Sequence, residues 1–148
     1  MNDTVGIWAF YIAAGIAVFG ALIHWIAPVL GPDFYAFLRA PAVVVQSARQ
    51  HTWLAPVGAL VIGMLMLVCA LYALSGAGLI RPLPLLKTGI LVTGVICLVR
   101  GLAVLPFLLL MPKTVTAFNI IASLIWFICG LGYVLGAWRH WQWLGVKS

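Results

Sequence analysis

The chain has 148 residues, of which 66% are hydrophobic and only 7% are charged, and its formal net charge is +6. A water-soluble domain carries about 25% charged residues because its surface must be hydrated, so the composition excludes an ordinary soluble domain and favours a chain that faces lipid. The Lys and Arg residues are scattered along the chain rather than clustered, which argues against a nucleic-acid-binding protein.

Four long apolar runs follow one another along the chain. A helix that crosses the hydrocarbon core of a bilayer needs about 20 mainly apolar residues, and each run reaches this length. We predict transmembrane spans at about residues 5–27, 53–74, 85–111 and 117–138. The predicted fold class is therefore an all-α integral membrane protein, with one domain over residues 1–148 that forms a four-transmembrane-helix bundle.

The connection between the first and second spans, Pro28–Thr52, is long and has apolar stretches on both sides of Pro41. Proline suits the first turn of a helix. We predict that this loop carries short helices lying in the membrane interface, or the leading turns of an extended second span. Asp33, which follows Gly31 and Pro32, is predicted to cap one of the short helices. The alternative is an ion pair with Arg39, Arg49 or Arg100.

Arg100 is the sharpest functional signal, because it lies inside the third predicted span. An arginine at the centre of a span costs about 2.5–3.5 kcal/mol on insertion scales. In a functional role, Arg100 binds an anionic group or holds a gate. In a structural role, it bonds to carbonyls or to Asn119, or it snorkels to the interface. Its helical face is small or weakly polar, as expected of a face turned toward other helices. That face consists of Gly89, Thr93, Cys97, Ala103 and Val104.

In a four-span topology the first and third loops lie on the same side of the membrane, so polar residues converge in one leaflet. The candidate polar or ligand site consists of Arg100, His24, Asn119, Arg49 and Trp53. His24 and Asn119 each share a helical stripe with small or polar residues, which favours an inward orientation. For both, a hydrogen bond that serves the fold is the alternative to a ligand-binding role.

The sequence offers no catalytic set and no metal site. Cys69, Cys97 and Cys129 each lie alone in a different apolar run, and no cluster of His, Cys and acidic residues has metal-ligand spacing. The two acidic residues, Asp3 and Asp33, do not form a pair suited to acid–base catalysis. We therefore expect no cofactor and no metal.

The expected partners are the lipid bilayer and, as a further option, a second copy of the chain or another membrane protein. Gly132 and Gly136 form a G-x-x-x-G pattern, which is common where two membrane helices meet and is one possible dimer face. No nucleic-acid partner is expected.

Three roles from different classes remain open. The favoured role is a non-enzymatic accessory or a ligand- or partner-binding membrane protein. One alternative is a small oligomeric transporter or channel in which Arg100 sets a preference for anions. The other is a lipid-modifying enzyme that uses His24 and Arg49. The compact chain, rich in Ala, Gly, Val and Leu, favours a bacterial inner membrane.

The distribution of cations favours one orientation, because Lys and Arg accumulate on the cytoplasmic side of membrane proteins. With both termini inside, the cytoplasmic cations are Arg81, Lys87, Arg139 and Lys147. The cations on the other side are Arg39, Arg49 and Lys113. We therefore expect both termini in the cytoplasm.

An even number of spans requires both termini to lie on the same side of the membrane. Reporter fusions at each end of the chain test the side on which each terminus lies. One reporter is active only in the cytoplasm, and the other is active only outside it. We expect the cytoplasmic reporter to be active at both ends. Reporters that put the two ends on opposite sides would exclude four spans.

Overall fold

The computed structural model describes residues 4–146, and within this range the chain is helical with no β-strand. Within this described range, four segments are helical and apolar over a length that can cross a membrane. They are α1 (Thr4–Leu30), α4 (Leu54–Gly76), α5 and α6 taken together (Leu86–Leu102 and Val104–Leu110) and α7 (Ala117–Arg139). Shorter helices are α2 (Pro32–Phe37), α3 (Ala42–Arg49), a 3-10 turn (Pro112–Thr114) and α8 (Trp141–Val146).

The prediction of four long apolar helices is confirmed, and their ends agree with the predicted ranges to within three residues. The first helix is longer than predicted, because α1 continues through Pro28 and ends at Leu30. The residue that stops it is Gly31, whose φ of 86° lies in the left-handed region that favours glycine.

The third long segment is interrupted at Ala103, where α5 ends and α6 begins after a single turn residue. Pro106 explains the break. Proline has no N–H, so the carbonyl of Leu102, four residues earlier, loses its usual helical partner, and the ring also crowds that carbonyl. The break lies three residues after Arg100.

Contacts within the chain group it into two compact units. The larger unit contains residues 4–16 and 69–146 of the described range, and the smaller unit contains residues 17–68. The core of the larger unit includes the fully buried side chains of Phe10, Ile90 and Tyr133. Tyr133 donates a hydrogen bond of 2.7 Å to the carbonyl of Cys69. The single domain predicted over the whole chain remains a prediction.

The smaller unit contains the long first loop. The phenol of Tyr35 donates a bond of 3.1 Å to the carbonyl of Ala55, and burial raises the pKa of Tyr35, so the phenol keeps its proton and remains a donor. The Ser47 hydroxyl lies 2.7 Å from that of Thr52 and accepts a bond of 2.9 Å from the Ala55 N–H in the first turn of α4. Two short helices are therefore present in this loop, and their location at a membrane interface remains a prediction.

The predicted cap at Asp33 is wrong. The residue that precedes α2 is Gly31, and α2 has no side-chain capping bond. Asp33 instead lies within the first turn of α2, where its negative charge still interacts favourably with the helix dipole.

Helix α5 packs along α7 through small residues. A Cβ atom added at Gly101 would lie 2.6 Å from the backbone nitrogen of Phe127, and one added at Gly130 would lie 2.8 Å from the backbone nitrogen of Leu98. At both places the obstacle is backbone, which cannot move aside as a flexible side chain can. The two helices therefore touch directly at Gly101 and Gly130.

The G-x-x-x-G pattern of α7 is used inside the larger unit. Gly132 packs against the backbone of Ala9, and Gly136 packs against the ring of Phe10. Both glycines are buried, so they do not offer the dimer face suggested by the sequence. A homodimer remains a prediction without a defined contact face.

Gly101→Ala should destabilise the protein, because the added methyl group has to displace the α7 backbone at Phe127. Overpacking of this kind costs about 1–3 kcal/mol. Gly15→Ala is the matched control, since Gly15 is also helical and a Cβ there meets nothing within 4 Å. We expect thermal unfolding in detergent to show a lower midpoint for Gly101→Ala and an unchanged or higher one for Gly15→Ala. Equal midpoints would contradict the close contact between α5 and α7.

Candidate functional site

A cavity of about 330 Å³ lies in the larger unit beside the break between α5 and α6. Its volume falls at the lower end of the range found for small-molecule sites. It combines one charged group, several polar groups and an apolar wall. The lining residues are Arg100, Ala103, Val104, Phe107, Thr114, Val115, Asn119 and Ser123.

Among the described residues that line this cavity, Arg100 is the only charged one. It occupies the last turn of α5, and its side chain is exposed. The guanidinium group makes no hydrogen bond and no ion pair with the described residues of the larger unit. The predicted pairing of Arg100 with Asn119 is therefore not seen, and the donors of the guanidinium remain available to a ligand.

Asn119 has a defined local role at the start of α7. Its side-chain oxygen accepts bonds of 3.1 Å from the Thr116 N–H and 2.6 Å from the Thr116 hydroxyl, and its own N–H donates to that hydroxyl. This reciprocal capping box satisfies helix-terminal groups. Because the oxygen is engaged, the side-chain NH₂ is the end of Asn119 that is free to donate within the described structure.

Ser123 is buried, with 3% of its surface exposed, yet its hydroxyl forms no hydrogen bond with a described residue of the larger unit. The hydroxyl oxygen keeps accessible surface in the cavity, so its lack of a partner among these residues carries no penalty of burial. Ser123 lies on the same face of α7 as Asn119, one turn further along the helix. It therefore presents a second neutral donor to the cavity that contains Arg100.

The charge of Arg100 has no counterion among the described residues of the larger unit. The chain has two acidic residues, Asp3 and Asp33. Asp33 belongs to the smaller unit, and Asp3 lies outside the described residues. Thr114, the remaining polar residue of the cavity, donates its hydroxyl proton to the carbonyl of Met111 at 2.8 Å. The free donors are therefore Arg100, Asn119 and Ser123.

His24, which the sequence placed in the same site, belongs to the smaller unit. Its Nδ1 lies 2.8 Å from the carbonyl of Gly20, one turn earlier in α1. A carbonyl only accepts, so Nδ1 carries the proton and donates it. This is the structural role that the sequence offered as the alternative to ligand binding.

Arg49 and Trp53 also belong to the smaller unit. Arg49 is exposed in the last turn of α3, where a positive charge interacts favourably with the helix dipole. Trp53 is 71% exposed and directly precedes α4, whose first turn includes a bond of 3.1 Å from the Val57 N–H to the Trp53 carbonyl. The predicted grouping of these residues with Arg100 remains a prediction, whereas Arg100 and Asn119 do line one cavity.

Two features of the larger unit were not predicted from the sequence. Pro106 stands inside the third apolar run, and its position four residues after Leu102 was a signal for the helix break. Cys97 and Cys129 lie alone in separate apolar runs of the sequence, but in the structure they belong to the same buried cluster of the larger unit. Both cysteines lie at similar distances from the third loop along their helices, and this similarity was the signal that they lie close together.

No known protein family, no curated protein and no solved structure matches this chain. The functional argument therefore rests on the chemistry of the cavity.

Replacing Arg100 with Leu should leave the fold intact, because no described group of the larger unit loses a partner. Removal of an unpaired charge among apolar residues also eliminates a desolvation penalty. We expect the thermal midpoint in detergent to stay the same or rise. Phe10→Ala is the reference for a true core defect, since Phe10 is fully buried and such a truncation costs about 3–5 kcal/mol. A loss for Arg100→Leu comparable to that of Phe10→Ala would mean that Arg100 balances a buried negative charge.

Proposed function

We propose that this chain is a non-enzymatic membrane protein that binds an anionic ligand in the cavity at Arg100. The observation that carries this proposal is the set of unsatisfied donors at one place. The Arg100 guanidinium, the Asn119 amide and the Ser123 hydroxyl line the same cavity, and the described part of the larger unit has no carboxylate to occupy them.

The membrane location is part of the proposal. Four helices of sufficient length and apolar character support it. Large apolar side chains on the outer surface of these helices support it too, including Phe19, Leu65, Ile96 and Ile121, each of which is exposed. We propose four spans in a bacterial inner membrane, with both termini in the cytoplasm and the short helices of the first loop in the interface.

Binding is favoured over conduction by the packing next to the cavity. At Gly101, the residue after Arg100, α5 lies in direct contact with the backbone of α7 at Phe127. Direct backbone contact leaves no room for a water-filled path between these two helices. An anion channel would therefore need a route elsewhere, and a binding site that ends at this contact fits the larger unit better.

An enzymatic role has less support. His24, the proposed acid or base of a lipid-modifying enzyme, donates its Nδ1 proton within its own helix turn. The cavity at Arg100 contains no acid, no histidine and no cysteine among its described lining residues. Its groups can hold an anion and orient it, but they do not include a nucleophile activated by a base.

Ligand-induced stabilisation tests the proposal. A ligand that binds only the folded state, at a hundred times its dissociation constant, adds about 2.7 kcal/mol to the stability. Purified protein in a neutral detergent is heated with inorganic phosphate or with phosphatidylglycerol. We expect at least one of these anions to raise the unfolding midpoint of the wild type by a few degrees, and to leave that of Arg100→Gln unchanged.

Arg81→Gln is the matched control for loss of a positive charge, because Arg81 is exposed in the loop before α5 and lies outside the cavity. It should respond to the anion like the wild type. The proposal fails if neither anion stabilises the wild type, or if Arg100→Gln is stabilised to the same extent.

A further inference from the structure

The donors of the Arg100 cavity are bordered by exposed apolar side chains along the helices. Asn119 and Ser123 follow the start of α7 by two and six residues, which corresponds to roughly 3 and 9 Å along the helix axis. Asn119 and Ser123 therefore lie near the end of the helices that carries the third loop, whereas Arg100 lies deeper, ten residues before the end of α6 at Leu110. Further from that loop, along α5, the side chains of Ile96 and Val99 are 59% and 63% exposed.

Donors bordered by apolar surface match an amphiphile whose head lies at Arg100 and Ser123 and whose chain lies along an apolar helix face. The cavity itself is too small for more than a headgroup and the adjoining part of a chain. Acyl chains would therefore lie outside it, on apolar surface such as that of Ile96 and Val99. A free anion gains nothing from this apolar surface.

The cavity is accessible from the side of the helices. Arg100 and Phe107 both line it and are both exposed, and the break at Ala103 separates α5 from α6 between them. A helix interruption beside a polar group is a common element of ligand sites at membrane depth, because the irregular backbone is tolerated where it lines a cavity.

The charge of the region selects among lipids. Lys113 is exposed in the loop next to Thr114, a cavity residue, and adds a second cation near this end of the helices. The described residues of the larger unit contain no carboxylate that would attract a choline or an ethanolamine group. A headgroup with a net negative charge is therefore favoured over a zwitterionic one.

We propose that the ligand of the Arg100 cavity is an anionic phospholipid, whose phosphate accepts hydrogen bonds from Arg100, Asn119 and Ser123 while its acyl chains lie on the apolar surface at Ile96 and Val99. This inference rests on the proposed function and specifies its ligand. A planar guanidinium with two parallel N–H groups suits the oxygens of a phosphate.

Native mass spectrometry of the full chain in a neutral detergent tests the proposal. The protein is titrated with phosphatidylglycerol, with phosphatidylcholine of the same chains, and with inorganic phosphate as competitor. The variants are Arg100→Gln, Ser123→Ala and the control Arg81→Gln. Ser123→Ala keeps the capping box of Asn119 intact and removes one neutral donor, so it remains informative if Arg100→Gln folds poorly.

We expect phosphatidylglycerol to bind the wild type more tightly than phosphatidylcholine, and inorganic phosphate not to displace it. Loss of a hydrogen bond to a charged group weakens affinity by about tenfold or more, so Arg100→Gln should bind phosphatidylglycerol at least that much more weakly. Ser123→Ala should weaken it less, and Arg81→Gln should not change it.

Each of the following results overturns a different part of the proposal. Equal affinities for the two lipids exclude selection by charge. Inorganic phosphate that binds through Arg100, without any retention of lipid, overturns the lipid assignment and leaves the proposed anion site standing. If phosphatidylglycerol binds Arg100→Gln and Ser123→Ala as tightly as it binds the wild type, the lipid assignment and the proposed anion site are both overturned.

Discussion

Helices α5 and α7 approach so closely that a Cβ atom at Gly101 or Gly130 would collide with the backbone of the other helix. This contact determines where the groups of the cavity lie. Arg100 adjoins Gly101 in the sequence, and Asn119 and Ser123 precede Phe127 on α7. With the helices fixed at Gly101, the Arg100 side chain and the first turns of α7 face one cavity.

The interruption at Ala103 acts together with this contact. An uninterrupted helix would continue past Arg100 with the same face toward α7. Because Pro106 has no N–H, the regular helix is interrupted at Ala103, about one turn after Arg100. Residues from both α5 and α6 therefore line the cavity. Space, a break in the backbone and a charge without a counterion among the described residues of the larger unit therefore coincide. Each alone has a structural explanation, but their coincidence favours a bound anion.

The long helices were predictable, because the length and the apolar character of a run determine them without knowledge of tertiary contacts. The association of Arg100 with Asn119 also followed from topology, since both lie toward the third loop. The role of Asn119 did not follow, because its bonds to Thr116 are local to the start of α7, whereas its helical stripe with Ser123 indicates contacts between helices. The capping pattern at Thr116 was the signal for it.

Other parts depended on contacts that a sequence does not specify. Whether Gly132 and Gly136 face a second copy or the same chain is decided by α1, which supplies Ala9 and Phe10 to that face. Whether Ser123 joins helices or donates into a cavity depends on the space that Gly101 and Pro106 create on the neighbouring segment. These are tertiary effects on residues whose individual patterns are common in apolar helices.

The central claim is that the charge of Arg100 is balanced by a bound anion and not by a group of the chain. An experimental structure in a nanodisc that contains phosphatidylglycerol tests it most directly. The account predicts non-protein density in the cavity, within hydrogen-bonding distance of Arg100 and Ser123. An empty cavity with the guanidinium bonded to a carboxylate or a carbonyl of the protein itself would contradict it.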